Sequence, residues 1–349
     1  MAVDSTPGGG VPRSRVLALV IGALVVAGIV VALAALASRE PEGGADAVAA
    51  KPTTSEALTG RPAIALPPVA GIPEDPQQRV VWATQRRVTD PGTAADLRLA
   101  AAQAAAGDAA AARATLRGND TPAAQAAMAL LDYDAADPAP TIARLKALAA
   151  AAPANQFIGF SYGAALLWSG QRAAGEEVLR GVRDASPDTF YGVAADDLSH
   201  PVLPPGYPPF ITSEPPPTAS LAELKAAAAA QPGALQPQLY YAAALVADGQ
   251  RRAAMDAFDA ALAVDPGSLD ARVGRIIAAY SKDNPAAAFG QMGPLVRDNP
   301  SDPSPRLHLA LMLLWLRDPE TARAEFRQVA TLAPDTRLGR TAQQFLDAL

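Results

Sequence analysis

Prolines repeating every 34 residues constrain this chain more than any other feature: Pro232, Pro266, Pro300 and Pro334 keep that spacing, as do Pro153 and Pro187 upstream. Each stands at the end of an alanine-rich stretch with apolar residues at helical intervals. Proline has no N–H to donate inside a helix, and its ring drives the preceding residue out of the α conformation, so each of these prolines marks a helix end. A helix stopped at a fixed period builds copies of one small unit. One copy cannot bury its own apolar face, so the copies must stack. Composition agrees. Phe 8, Tyr 7 and Trp 3 in 349 residues are too few aromatic side chains for a β-sandwich or barrel. Alanine, which loses no side-chain entropy in a helix, is abundant.

The segment Leu235 to Ser268 gives the unit in full. Tyr241, Ala242 and Leu245 lie on a first helix, Asp248-Gly249 makes a turn, and Ala254, Phe258, Ala261 and Leu262 lie on a second helix that ends at Asp265-Pro266. This resembles the tetratricopeptide repeat family, with small residues at positions 8 and 20, a large apolar one at 24, alanine at 27 and proline at 32. Small residues let the two antiparallel helices approach, and the bulky one fills the gap to the next pair. Pro303 to Thr336 repeats the pattern with Ala310, Ala322, Phe326, Val329 and Pro334. Leu269 to Asp302 keeps Ala288, Met292 and Pro300 but puts Ile276 and Leu295 where small residues are expected, which leaves its helix spacing open. Upstream, Gln156 to Thr189, Pro122 to Asn155 and Thr93 to Gly118 follow more loosely. A leading helix over 76–88 is expected to cap the array through Val80, Val81 and Val88, and Arg337 to Leu349 to close it. The resemblance implies an all-α superhelix of helical hairpins, an α-solenoid, whose business is binding protein or peptide.

Pro187 and Pro232 stand 45 residues apart, which is one period plus eleven. The excess reads as one interrupted repeat, with a proline-rich insertion over 199–218 between a helix near Phe190–Leu198 and another at Leu221–Ala230. Two readings stay open. The insertion packs on the convex side as a tolerated loop, or it is a docking element or lid over the groove, with Tyr207 and Phe210 among its prolines.

Ahead of the repeats, Val16 to Ala37 is a run of 22 residues without charge or proline. As a helix it is about 33 Å long, enough for a hydrocarbon core of ~30 Å. Arg13 and Arg15 precede it, and residues 38–75 carry more acid than base, so the 1–15 tail is expected in the cytoplasm and the rest outside. A signal peptide cleaved after Ala37 is the rival reading. The proline- and glycine-bearing stretch 38–75 reads as a tether, 76–198 as upstream repeats and 219–349 as downstream repeats with the closing helix.

Chemistry is sparse. A net charge of −6 disfavours nucleic acid as a partner, since that binding replaces phosphate counterions with Lys and Arg. There is no cysteine, and His200 and His308 lack companions at metal-ligand spacing, so no metal or cofactor is expected. Gly159-Phe160-Ser161-Tyr162-Gly163 spells a serine-hydrolase elbow, but no strand pattern precedes it, and Ser161 as a nucleophile is a remote reading. The resemblance instead implies a concave surface lined by the first helices. Its residues here are Leu239, Val246, Val273, Ile277, Tyr280, Leu307, Leu311, Leu314 and Trp315 downstream, with Phe157, Phe160 and Trp168 upstream. That surface is apolar. It points to a non-enzymatic, membrane-anchored scaffold holding a protein or peptide outside the cytoplasm. An assembly factor for an envelope machine, of the cytochrome c maturation or cell-wall synthesis kind, is the alternative.

Overall fold

The computed structural model describes Leu58 and residues 60–349; the apolar run at 16–37, and with it the expected membrane span, lies outside the described residues. Among the described residues there is no β-strand, and no helix is long and apolar enough to cross a membrane. The helices divide between two compact units, one ending at Val202 and one running from Leu203 to Leu349. The upstream unit contains α1 (Pro76–Thr89), α2 (Thr93–Ala105), α3 (Ala109–Leu116), α4 (Pro122–Leu131), α5 (Ala139–Ala151), α6 (Gln156–Trp168), α7 (Arg172–Ala185) and α8 (Phe190–Ser199). The downstream unit contains α9 (Leu221–Ala230), α10 (Leu235–Ala247), α11 (Arg251–Val264), α12 (Leu269–Ala278), α13 (Pro285–Asp298), α14 (Pro303–Trp315), α15 (Pro319–Leu332) and α16 (Arg337–Ala348). Within each unit the helices pack mainly on their neighbours in sequence, as successive hairpin pairs, with α2, α4 and α6 and then α10, α12 and α14 as first helices.

The phased prolines do one job six times. Ala152, Ser186, Gln231, Asp265, Asn299 and Ala333 each cap a second helix and precede one of them, with φ between −128° and −152° and ψ between 54° and 96°. All six lie outside the α region, which a following proline disfavours for the residue before it. Each cap carbonyl then accepts from the N–H three residues on, at 3.0–3.2 Å, closing a turn with proline at its second position. The residue that donates starts the next first helix, and Asn155, Thr189, Ser268, Asp302 and Thr336 also cap it with their side chains. Inside the pairs, Gly107, Gly170 and Gly249 end first helices with φ of 89°, 79° and 78°. Arg317 takes the same left-handed position at 59°.

Positions 8 and 20 meet where the pairs are closest. A Cβ on Gly163 would lie 2.7 Å from Leu179 Cγ, and one on Gly175 would lie 2.7 Å from Leu167 Cδ2. Ala100 and Ala112, Ala242 and Ala254, and Ala310 and Ala322 fill the same sites with no exposure. Larger residues accompany shorter helices. Where Thr141 or Ile276 takes one of these positions, the first helix (α4 or α12) has 10 residues rather than the 13 of α2, α6, α10 and α14. The leading helix also departs from expectation. Val80, Trp82 and Ala83 face Leu99 and Ala102, whereas Val81 and Val88 point to solvent, since a single contact stripe on α1 cannot include all three valines.

The interruption falls where expected, between α8 and α9, but the two helices do not form a pair: α8 packs on α7 and α9 on α10, in different units.

Candidate protein-binding faces

The faces made by the first helices are covered by extended segments of the chain itself. In the downstream unit the cover is residues 203–214, the greater part of the proline-rich insertion. Buried residues alternate there as Pro208, Phe210 and Thr212, with less buried ones between, which is the period of an extended chain. The convex-side reading is therefore overturned. The segment runs from the C-terminal ends of the first helices towards their N-terminal ends. Trp315 Nε1, at the end of α14, donates to Gly206 O at 3.2 Å. Lys282, 4% exposed after α12, donates from Nζ to Pro204 O at 2.9 Å. Farther along, Asp270 at the start of α12 accepts from the N–H and hydroxyl of Ser213 at 3.0 and 2.9 Å, and Arg337 at the start of α16 donates to Thr212 O at 2.9 Å.

Two rings anchor the segment. Tyr207 lies under the Arg251 guanidinium, 3.6 Å from its centroid, a favourable charge–quadrupole arrangement. Phe210 stacks on His308 at 5.1 Å and meets Phe258 edge-on at 5.0 Å. Phe258 belongs to a second helix and occupies space that a side chain at position 274 would need: a Cβ on Gly274 would lie 2.2 Å from its ring. Glycine in α12 thus lets the Phe258 ring pass close to that helix. His308 has no solvent exposure. Its Nε2 accepts from the Ile211 N–H at 3.0 Å, so the ring proton sits on Nδ1, which donates to Ser304 O at 2.7 Å. Burial lowers its pKa to about 4, against smaller raising effects of Ser304 O and Asp270. Tyr240 on α10 is raised by burial and by the Glu214 carboxylate beside it.

The upstream unit has its own cover, the end of the stretch expected to be a free tether. Pro62 is buried, Ile64 and Leu66 pack against a core that includes Leu130, Leu145 and Phe157, and three hydrogen bonds hold the segment in place. Arg98 on α2 donates to Pro67 O at 3.0 Å, Tyr191 on α8 donates from its hydroxyl to Ala65 O at 3.3 Å, and Arg61 donates to Leu131 O at 3.3 Å. Phe157 and Phe160 lie 6.1 and 5.9 Å from the Tyr191 ring, whose hydroxyl is pushed up to about 12 by burial, with the Arg98 charge opposing. A cleft of about 420 Å³ remains beside this segment, with Arg61, Arg79, Arg98 and Trp82 among its lining residues. Each of these arginines donates to a backbone carbonyl of the chain around it.

The downstream groove residues share one core and Phe157 and Phe160 lie in the upstream unit, in neither case as an open surface. Leu239, Val273, Ile277, Tyr280, Leu307, Leu311, Leu314, Trp315, Phe157 and Phe160 are all buried, between 0% and 7% exposed, and Val246 and Trp168 are half-buried. Neighbouring helices and the covering segments together account for this. Sequence reasoning noticed Tyr207, Phe210 and Trp315, but it missed their polar partners Arg251, Asp270, Lys282, His308 and Arg337, because nothing in the linear pattern told which face the insertion would cross.

Ser161 is not a nucleophile in this arrangement. It lies inside α6, is 1% exposed, and its hydroxyl has no hydrogen-bond partner among the described residues; an activated serine needs a base within reach and a sharp strand-to-helix turn. Among the described residues no group of three or more His, Asp or Glu is placed to hold a metal ion.

No family model and no curated protein matches the chain. Solved structures do match. The crystal structure of the yeast Tom70 is 13% identical, with a TM-score of 0.29 over 78% of this chain and 58% of that one. The APC/C hetero-tetramer Cut9-Hcn1 is 10% identical, with a TM-score of 0.30 over 78% of this chain and 63% of that one. This chain thus spans about three-fifths of either protein's length. At such scores the likeness adds nothing to the helix register described above.

Proposed function

We propose that this chain is a non-enzymatic scaffold that binds a protein or peptide on the faces of its first helices, held in the cytoplasmic membrane by residues 16–37 with its helix pairs outside the cytoplasm. One observation carries the binding part: in each unit an extended polypeptide lies along that face, fixed largely through its backbone. A face that holds one extended chain has the shape and the donors to hold another. The membrane part rests on the 22 uncharged residues from Val16 to Ala37 and the charge difference around them.

Both parts are open to test in cells making the protein. A photo-crosslinking residue at Val246, half-buried on α10, is expected to give a discrete protein adduct in the membrane fraction. Removal of residues 1–37 is expected to release the chain from that fraction. Absence of any adduct there, and from further positions along α12 and α14, counts against the scaffold. Recovery of the intact chain in the soluble fraction counts against the anchor.

A further inference from the structure

We infer that the first-helix face of the downstream unit is a receptor site for an extended, proline-rich segment of a partner protein with two aromatic side chains three residues apart, and that residues 203–214 are the tethered occupant such a segment displaces. The inference rests on the scaffold reading and names the chemistry of its partner.

The occupant itself shows what the face selects. Its captured polar atoms are mostly backbone: carbonyls of Pro204, Gly206, Thr212 and Glu214 and N–H groups of Ile211 and Ser213. The groups that catch them come from α12, the loop after it, α14 and α16, laid out as a track of donors and acceptors. Such a track reads an extended backbone and tolerates many sequences. Side-chain selection is left to two slots, the Arg251 guanidinium for Tyr207 and the space between Phe258 and His308 for Phe210. Prolines at 204, 205, 208 and 209 hold the segment extended before it binds, so little ordering entropy is lost on docking.

The occupant is also built to leave. Residues 215–218 beyond it are exposed, among them Pro215-Pro216-Pro217. The helix that follows is capped without it: Ser220 and Glu223 form a reciprocal capping box at the start of α9. Ser268, Asp302, Asp318 and Thr336 cap the later helices, so departure of 203–214 removes no side-chain cap and uncovers the track. Because the occupant is tethered, it competes at an effective concentration in the millimolar range, and a partner's apparent affinity is reduced by the fraction of sites it fills.

The test uses the full chain in detergent and a fluorescein-labelled peptide with the sequence of residues 203–214, followed by fluorescence anisotropy. Replacing both rings in the chain (Tyr207→Ser with Phe210→Ser) is expected to tighten peptide binding at least tenfold over the unaltered protein. A peptide with the same two positions changed to serine is expected to bind at least tenfold more weakly to that variant. A folded double variant that does not bind the peptide, or binds the serine peptide equally well, overturns the proposal. So does dimer formation by the unaltered chain through exchange of this segment, seen by light scattering, since a second copy is then the occupant. If the double variant does not fold, Tyr207→Ala alone, which leaves the Phe210 slot filled, is expected to tighten binding at least threefold, and no gain there is equally decisive. Failure of the peptide leaves crosslinking to a cellular protein unaffected, so loss of this inference and loss of the scaffold reading are separate results.

Discussion

At the scale of single residues, a few side chains carry consequences that can be measured one at a time. His308 is buried neutral, with its pKa lowered from 6.5 to about 4. An unfolded chain takes up that proton near pH 6.5 while the folded one resists until about 4, so between these values the unfolded state binds more protons and stability falls as the pH falls. The contribution present above pH 6.5 and lost by pH 4 is about 3 kcal/mol. Protonated Nε2 would also face the Ile211 N–H donor to donor. Denaturant unfolding followed by Trp315 emission, with Trp82 and Trp168 changed to Phe, is expected to show this loss, and His308→Leu is expected to flatten it. Equal pH slopes for both proteins would refute the assignment. Glycines give a second contrast. Gly163→Ala places a Cβ 2.7 Å from Leu179 Cγ and is expected to cost about 1–3 kcal/mol by overpacking. Gly181→Ala, within α7 and with nothing within 4 Å, is expected to stabilise by about 0.5–1 kcal/mol. Thermal melts of the two variants should move in opposite directions.

At the scale of elements, the helix pairs were legible in the sequence and the covering segments were not. A proline fixes the conformation of the residue before it whatever the surroundings, so six helix ends could be placed from spacing alone. Small residues at positions 8 and 20 report a distance between helices that are neighbours in sequence. Both are local signals. Where an extended proline-rich segment lies is decided by contacts such as that of Arg337 with Thr212, 125 residues away, which no short-range pattern encodes. For the same reason the apolar first-helix positions were read as a vacant groove. Their hydrophobicity is equally the mark of a surface already covered, and the rings of Tyr207 and Phe210 were the available hint of a cover. Phe210 is accordingly expected to behave as a core residue. Phe210→Ala should cost about 3 kcal/mol, the usual penalty for truncating a buried phenylalanine. Pro205→Ala, exposed in the same segment, should cost less than about 0.5 kcal/mol. Comparable losses from the two would show that the segment is not seated through its ring.

At the scale of the whole molecule, each unit meets a problem peculiar to stacked hairpins. Stacking buries the sides of a helix pair that touch the next pair, but it leaves one face of the first helices with no neighbour in the array. Here that face includes Val273, Ile277, Leu307 and Leu311, each no more than 1% exposed, and a bare patch of this kind invites association. Residues 203–214 downstream and 61–68 upstream both answer it with extended chain drawn from outside the helices. Replacing residues 204–212 by a glycine–serine stretch of the same length separates the cover from the array. The helical content in far-ultraviolet circular dichroism is expected to stay the same, because no side-chain helix cap in the downstream unit comes from the replaced residues. Binding of a hydrophobic dye is expected to rise severalfold, and the chain to self-associate at micromolar concentration. Loss of helix would instead mean that the segment is needed to assemble the stack. Unchanged dye binding would mean that the first helices close over their own apolar residues, leaving no face for any partner to use.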